Sequence, residues 1–347
     1  TVNGGAGGVV NVVWQIARAA RNQWGWDVAV MCDQGNALPA LADHGVRHFP
    51  VAFNRGVRTF LNSRQQLGRA LSQFTMVSIA AGRRPEVSTV HLDHFTSHGS
   101  VFDAGLIRRM LSGWGDKVTT LNENTRQSLI RQFGLDGGRV VVLPNGVDAV
   151  AYGPPSPVRR QIARAALGLE RDDRVALFVG SMVAWKRPQW CVRCLAAAVQ
   201  TGHDRAKLVM VGDGENRALC ESMARDMGVS DRCVFSGWTN PRDAYDAADL
   251  LLLPSQMEGF GLVCVEAMLC GVPVLRTRGG GYEQQIIEGK TGWSTPIDDE
   301  QGYVDAFVAV IGDAALTREC GRQARALAES EFSEERFLGR LSDLYAG

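Results

Sequence analysis

From residue 174 onward, short apolar runs alternate with stretches whose apolar positions recur every three or four residues. Val175–Val179 is such a run, closed by Gly180 and followed by a helical pattern over 187–200. Lys207–Val211 repeats the scheme, with the turn Gly212-Asp213-Gly214 and a helix over 215–227. Cys233–Phe235 runs on to Gly237, and a short helix over 243–248 follows. Leu250–Leu253 ends at Pro254 and precedes a helix from about Gly261 to Cys270, stopped by Gly271. Val272–Leu275 leads through Gly279-Gly280-Gly281 into a helical segment over 282–288. Short apolar strands alternating with helices predict βαβ units and a parallel sheet. In such sheets ligands bind outside the carboxyl ends of the strands. The loops after Val179, Val211, Phe235, Leu253 and Leu275 are therefore predicted to line one cleft.

The N-terminal half carries the same pattern more faintly. Gly4–Gly8 is a glycine-rich turn running into an amphipathic helix, Val9–Ala20. Trp26–Met31, Val87–His91, Lys117–Leu121 and Arg139–Leu143 read as strands. A glycine-rich loop that opens a helix normally follows a strand. Only Thr1-Val2-Asn3 precede this one, so the expectation is that the domain's first strand is missing from this sequence. Asn145-Gly146 and the prolines at 154, 155 and 157 mark a turn and a stiff junction. A last helix is predicted over 334–345. The boundaries that follow are an N-terminal α/β domain over 1–153, a second over 154–330, and a closing helical segment over 331–347.

A length of 347 residues suits two domains of this kind. With 45% hydrophobic and 21% charged residues the chain can bury a core, and no stretch has the composition of a disordered segment. No apolar run approaches the roughly 18 residues of a membrane span. Collagen, coiled-coil, disulfide-scaffold and integral-membrane classes are excluded. The formal charge is zero, which argues against a nucleic-acid binder. The balance is uneven, because residues 1–155 carry 15 Lys and Arg against 10 Asp and Glu, and the remainder 22 against 27. A basic N-terminal half suits an anionic partner or peripheral contact with a membrane surface; ordinary scatter of surface charge is the plain alternative. Cys191 and Cys194 have the spacing of a metal or redox pair, yet no second Cys/His pair lies near them. Three apart on one helical face, they are predicted to be core thiols. Reduced thiols point to a cytoplasmic protein.

The segment Glu258-Gly259-Phe260-Gly261-Leu262, with Glu266 further along, is the richest in chemistry. Glu258 falls in the loop leaving a buried strand, and Gly259 and Gly261 allow close backbone approach. The helix beginning near Gly261 points its free N–H groups toward the strand ends, which suits a phosphate or diphosphate. Glu266 lies inside that helix, where a carboxylate facing the cleft would accept hydrogen bonds from a ribose. The alternative is that both glutamates are simply solvated.

The run from Asp249 to Gly292 resembles the signature of the retaining group-one (family four) glycosyltransferases of GT-B fold. Its parts are Pro254-Ser255, Glu258–Leu262, Glu266-Ala267-Met268, Gly271–Val274, the glycines at 279–281 and Gly289–Gly292. The likeness continues in Leu177–Gly180 with Lys186, in Val211–Gly214, in Leu143–Asp148 and loosely in Gly4-Gly5-Ala6 with its helix. The resemblance implies an α/β, GT-B architecture of two Rossmann-like domains facing across a cleft. The N-terminal domain would choose the acceptor and the C-terminal one hold the donor, with the last helix crossing back onto the N-terminal domain.

Residue by residue, the resemblance implies that Lys186 holds the diphosphate of a nucleotide-sugar donor. Glu258 would bind hydroxyls of the transferred sugar, with Phe260, Gly261 and Leu262 presenting backbone N–H groups nearby. Glu266 would take the ribose hydroxyls, and Gly5 would approach the diphosphate from the opposite domain. His91, in Thr89–His94, resembles the family's histidine near the reacting centre. Ser181, Gly212, Asp213 and Gly259 complete the donor-side set. Ser181 is also a departure, since the family usually has arginine directly after the glycine of the Phe-Val-Gly strand. Arg187 is the nearest replacement, although adjacent helical residues do not share a face.

The implied activity is transfer of a hexose-type sugar from a nucleotide-diphosphate sugar to a hydroxyl acceptor with retention. The acceptor class is a lipid-linked sugar, a polysaccharide or a small molecule, as in cell-envelope or polysaccharide biosynthesis. No Asp-x-Asp occurs, and a helix terminus with Lys186 can stabilise the departing diphosphate, so neither metal nor cofactor is expected. Two other readings stand beside it: a non-catalytic nucleotide-sugar-binding module, and a GT-B sugar phosphorylase or epimerase. A nucleotide-dependent dehydrogenase fits poorly, because Gly212-Asp213-Gly214 meets Arg217 where the dinucleotide fingerprint needs a third glycine.

Overall fold

Val12, Ile16, Ala19 and Ala20 form the buried stripe of helix α1 (Gly8–Asn22), with Arg18 exposed on its other side. The computed structural model describes residues 8–24, 29–32, 47–50, 76–81, 84–90 and 117–346. After α1 come the parallel pair β1 (Ala29–Cys32) and β2 (Arg47–Pro50). A four-stranded sheet follows in sequential order: β3 (Met76–Ala81), β4 (Arg84–Val90), β5 (Lys117–Thr120) and β6 (Val140–Val142). Its β4, β5 and β6 are parallel, but β3 and β4 run antiparallel. Only two residues join those two strands, too short for the crossover a parallel pair requires. Helix α2 (Glu123–Phe133) begins at Asn122, whose side chain accepts from Thr125 N at 2.8 Å, and ends at Gly134 with φ of 64°. The glycine-rich turn at Gly4–Gly8, and with it the question of a preceding strand, lies outside the described residues apart from Gly8.

The chain forms two units, one of Thr1–Gly146 with Glu334–Gly347 and the other of Val147–Ser333. In the second, α3 (Pro157–Ala166) is started by Ser156 and precedes β7 (Arg174–Val179) and α4 (Pro188–Gln200). Next come β8 (Ala206–Val211), α5 (Arg217–Asp226), β9 (Cys233–Gly237), α6 (Arg242–Ala247) and β10 (Leu250–Leu253). The unit continues with α7 (Leu262–Leu269), β11 (Val274–Thr277), α8 (Tyr282–Gln285), β12 (Gly292–Thr295), α9 (Glu300–Ile311) and α10 (Ala314–Glu331). The strands form one six-stranded sheet in the order β12-β11-β10-β7-β8-β9, every pair parallel.

Alternate strand positions Ala176, Phe178, Leu208, Met210, Leu250 and Leu252 pack with α4 and α9 in one core. The intervening Val175, Leu177, Val209 and Leu251 are equally buried, so the sheet is covered on both faces. That is why its strands read as unbroken apolar runs rather than alternating ones. Two boundaries differ from the sequence pattern. Strand β11 begins at Val274 rather than Val272, since Pro273 has no N–H for the ladder. Helix α8 stops at Gln285 rather than 288, because Ile286 is extended and Thr291 Oγ1 takes Ile287 N at 2.8 Å. The last helix, α11 (Glu334–Ala346), groups with the N-terminal unit, where Glu334 pairs with Arg18. No helix among the described residues is long and apolar enough to cross a membrane.

Candidate active site

Strands β7 and β10 are neighbours, with Ala176 opposite Leu250 and Leu177 opposite Leu251. From β7 the chain continues to β8 on one side, and from β10 to β11 on the other. This is the switch point of a doubly wound sheet, where the two departing loops open a crevice at the carboxyl ends. Lys186 stands in the first loop, at the end of the short 3-10 turn Ala184–Lys186. Glu258 stands in the second. Their side chains meet in an ion pair, Lys186 Nζ donating to Glu258 Oε1, with side chains only 20% and 9% exposed. The loops are also tied by Gln256 N donating to Trp185 O at 2.7 Å. The lysine therefore turns inward to the crevice and not out to solvent.

Behind Glu258 the chain passes Gly261, with φ of 80°, and enters α7. No side chain caps that helix end. Phe260 is buried, its ring edge-on to Phe332 at 5.5 Å between centroids, and its carbonyl points inward. That carbonyl accepts from Gln285 Nε2 at 2.8 Å and from Arg276 Nη1 at 3.4 Å. Glycine is required at 281, where φ is 81° and a Cβ would lie 2.9 Å from Phe260 O.

Arg276 went unrecognised in the sequence. It is fully buried in β11, donates to Gly280 O at 2.8 Å and to Gln285 Oε1, and forms no ion pair among the described residues. A Cβ on Gly279 would touch both the Glu258 Cβ at 3.6 Å and Arg276 Nη2 at 3.8 Å, so the guanidinium lies just beneath the Glu258 stem. A buried cation satisfied only by neutral acceptors leaves a positive potential under the start of α7. The signal was legible as a charged residue directly after the apolar run Val272–Leu275.

Glu266 does not join the Lys186–Glu258 pair. Its Oε2 accepts from the hydroxyl of the fully buried Tyr245 at 2.7 Å, and Tyr152 bonds to the same carboxylate. Desolvation raises the Glu266 pKa above its ordinary value, and the two tyrosine hydroxyls oppose that rise. Tyr152 and Tyr245 meet edge-on at 5.9 Å.

Gly212 and Asp213 are placed by backbone packing. A Cβ on Gly212 would fall 1.9 Å from Gly180 O, and one on Gly214 would fall 2.7 Å from Met182 O, so the loops after β7 and β8 pass at backbone contact. Asp213 spends its carboxylate on Gly214 N at 2.7 Å and on Arg217 at 3.2 Å. Ser181 follows Gly180 at the mouth of the crevice, half-buried. Arg187 does not replace the missing arginine: it pairs with Asp298, donates to Ile297 O and lies 4.6 Å over the Trp190 ring. Its left-handed φ of 49° sends it away from Lys186. Gly5 and His91 lie outside the described residues. Cys191 and Cys194 are buried free thiols whose pKa values burial pushes well up, as core residues. Among the described residues no cluster of His, Cys, Asp or Glu is placed to hold a metal ion.

The C-terminal unit is a doubly wound parallel sheet whose switch point offers an open helix end, a lysine and a carboxylate. Residues 159–327 match the glycosyl transferases group 1 family and residues 6–150 match glycosyltransferase family 4, so each half of the chain is similar to glycosyltransferases of these families. D-inositol 3-phosphate glycosyltransferase of Nocardia farcinica is 35% identical over 217 residues, covering 60% of this chain and 47% of that protein. N-acetyl-alpha-D-glucosaminyl L-malate synthase of Bacillus anthracis is 32% identical over 179 residues, covering 51% of this chain and 46% of that one. The chain spans about half the length of the curated relatives it matches. Among solved structures, Anabaena HepE in complex with UDP superposes with a TM-score of 0.80 at 20% identity, over 99% of this chain and 97% of that one. The shared fold is GT-B.

Proposed function

We propose that the chain transfers a sugar from a nucleotide-diphosphate sugar to a hydroxyl acceptor with retention of configuration, without a metal. The Lys186–Glu258 pair at the switch point is the observation that carries this reading. An arriving diphosphate exchanges one carboxylate for its own charge at Lys186, and Glu258 is released to accept hydrogen bonds from the donor sugar. The N–H groups opening α7 face the same charge. Glu266, oriented by Tyr245, presents its second oxygen to the ribose.

Ser181 leaves the site one cation short of the family pattern, and Arg276 makes up part of the deficit from beneath. In the transfer step the acceptor oxygen bonds to the anomeric carbon as the bond to the diphosphate breaks on the same face. The acceptor proton passes to the departing phosphate oxygen. Fixed dipoles and cations stabilise the developing charge without reorganising. The nucleotides named with HepE are UDP and UDP-glucose, which makes uridine donors the first to test.

Thermal shift with UDP, GDP, ADP and their sugars reads the donor, since a ligand that binds only the native state raises its melting temperature. One base should stabilise well beyond the others, and turnover should survive EDTA. Lys186→Ala and Glu258→Ala should each lower kcat by about 10²–10³-fold, the range for removing one electrostatic stabiliser. Near-normal turnover in either variant removes that residue from the mechanism.

A further inference from the structure

The opposite end of the same strands carries a second feature. A pocket of about 600 Å³ lies at the amino-terminal ends of the strands, where Arg174 opens β7, Asp249 precedes β10 and Gly271 precedes β11. Lys186 and Glu258 lie at the carboxyl ends, so the two sites are separate. Seven arginines, three aspartates and no lysine line the pocket. That runs against its surroundings, because residues 156–347 carry 22 Lys and Arg against 27 Asp and Glu.

The floor is a built network. The Asp249 carboxylate is held by Arg160 at 2.7 Å, Arg164 at 2.8 Å and Arg174 at 3.1 Å. Arg164 is buried and spends its other donors on the carbonyls of Ala247, Glu170, Arg171 and Asp173. Asp173, also buried, accepts from Glu170 N at 2.7 Å. Three guanidiniums over two carboxylates leave the floor positive.

The rim adds exposed charge. Arg318, Arg322 and Arg325 recur at spacings of four and three along α10, which sets them on one face of that helix. Arg318 and Arg171 are exposed and make no side-chain hydrogen bond or ion pair among the described residues. Arg322 and Arg325 hold solvent-exposed pairs with Glu319 and Glu329, contacts weak enough for a multiply charged anion to displace. Asp172, exposed at the mouth, is the one carboxylate opposing them without a bond.

We propose that this pocket binds a phosphate-bearing anion, gripped by Arg171, Arg318 and Arg322 above the positive floor. Planar guanidinium forks match phosphate oxygens two at a time, which an ammonium cannot do, and every cation in the lining is an arginine. Its volume is that of an ordinary small-ligand site. The chemistry fits a soluble polyphosphate or the phosphate of an anionic lipid headgroup.

Titration of inorganic tripolyphosphate into the whole chain tests it, alongside phosphatidylcholine vesicles with and without phosphatidylglycerol. The variants are the double Arg171→Ser/Arg318→Ser, at two exposed positions, and Lys186→Ala as a control for the donor site. Saturable binding should weaken about tenfold or more in the double variant and stay unchanged in Lys186→Ala. Binding of tripolyphosphate with no retention on vesicles marks a soluble ligand, and retention that needs phosphatidylglycerol marks a lipid. Binding of neither probe, or binding undiminished in the double variant, overturns the proposal. So does binding lost only in Lys186→Ala, which would put the anion at the donor site.

Discussion

A carboxylate on the inward side of an apolar helix is tolerated when something donates to it, and Tyr245 and Tyr152 do so for Glu266. Because burial holds its folded-state pKa above 4.5, the folded chain keeps that proton to higher pH than the unfolded chain does. Stability from this group is therefore lost as pH rises from about 4.5 through the raised value. Glu266→Gln removes the titration. Its melting temperature relative to the unaltered chain should climb between pH 4 and 7; a difference that stays flat would mean the carboxylate is not desolvated. Arg276 makes a different prediction. Arg276→Gln keeps polar contacts to the loop carbonyls but removes the charge, so a nucleoside diphosphate should bind about tenfold more weakly while the bare nucleoside binds as before. Equal losses for both ligands would show that Arg276 only braces the loop.

The crevice is made by how loops pass one another, and glycine sets the distance. Gly212, with φ of 133°, has no room for a Cβ against Gly180 O at 1.9 Å. Gly212→Ala should cost about 2–4 kcal/mol, read by chemical denaturation, with weaker nucleotide binding alongside. An alanine variant of ordinary stability would show that the two loops are not held at contact. The same passage explains what the sequence pattern revealed. Strands β7, β8 and β10 were visible as apolar runs because both sheet faces are covered, and Glu258 and Gly261 were visible because they sit just past one of them. The helices α2, α3, α9 and α10 passed unmarked, since their amphipathic patterns carry no glycine-rich turn or unusual residue to set them apart. Arg187 misled for a local reason: adjacency to Lys186 in the chain says nothing about direction when its own backbone turns left-handed.

The last helix belongs with the first unit although a whole unit of sequence separates them. Phe337, Leu338 and Leu341 bury its inner face, and Glu334 meets Arg18 of α1. Leu341→Ala should cost about 2–5 kcal/mol. The loss should fall on the N-terminal unit: hydrogen exchange should quicken in α1 and β5 while residues 147–333 keep their protection. Equal quickening in both units would mean that they unfold together. The anion pocket has the same character, because its arginines come from α3, the segment before β7, the first residue of β7 and α10, and no local motif announces them.

The sequence by itself determined the class of fold, the parallel sheet of the C-terminal unit, and which loops stand at the strand ends. Those follow from hydrophobic period and from glycine, which act over a few residues. Only the tertiary structure decided which of those loop residues meet. Strand order brings β7 beside β10, so Lys186 finds Glu258; tyrosines from the linker and from α6 take Glu266; and a strand arginine comes to lie beneath α7. These are contacts between distant parts of the chain, chosen by the packing of whole elements, and no spacing in the sequence records them.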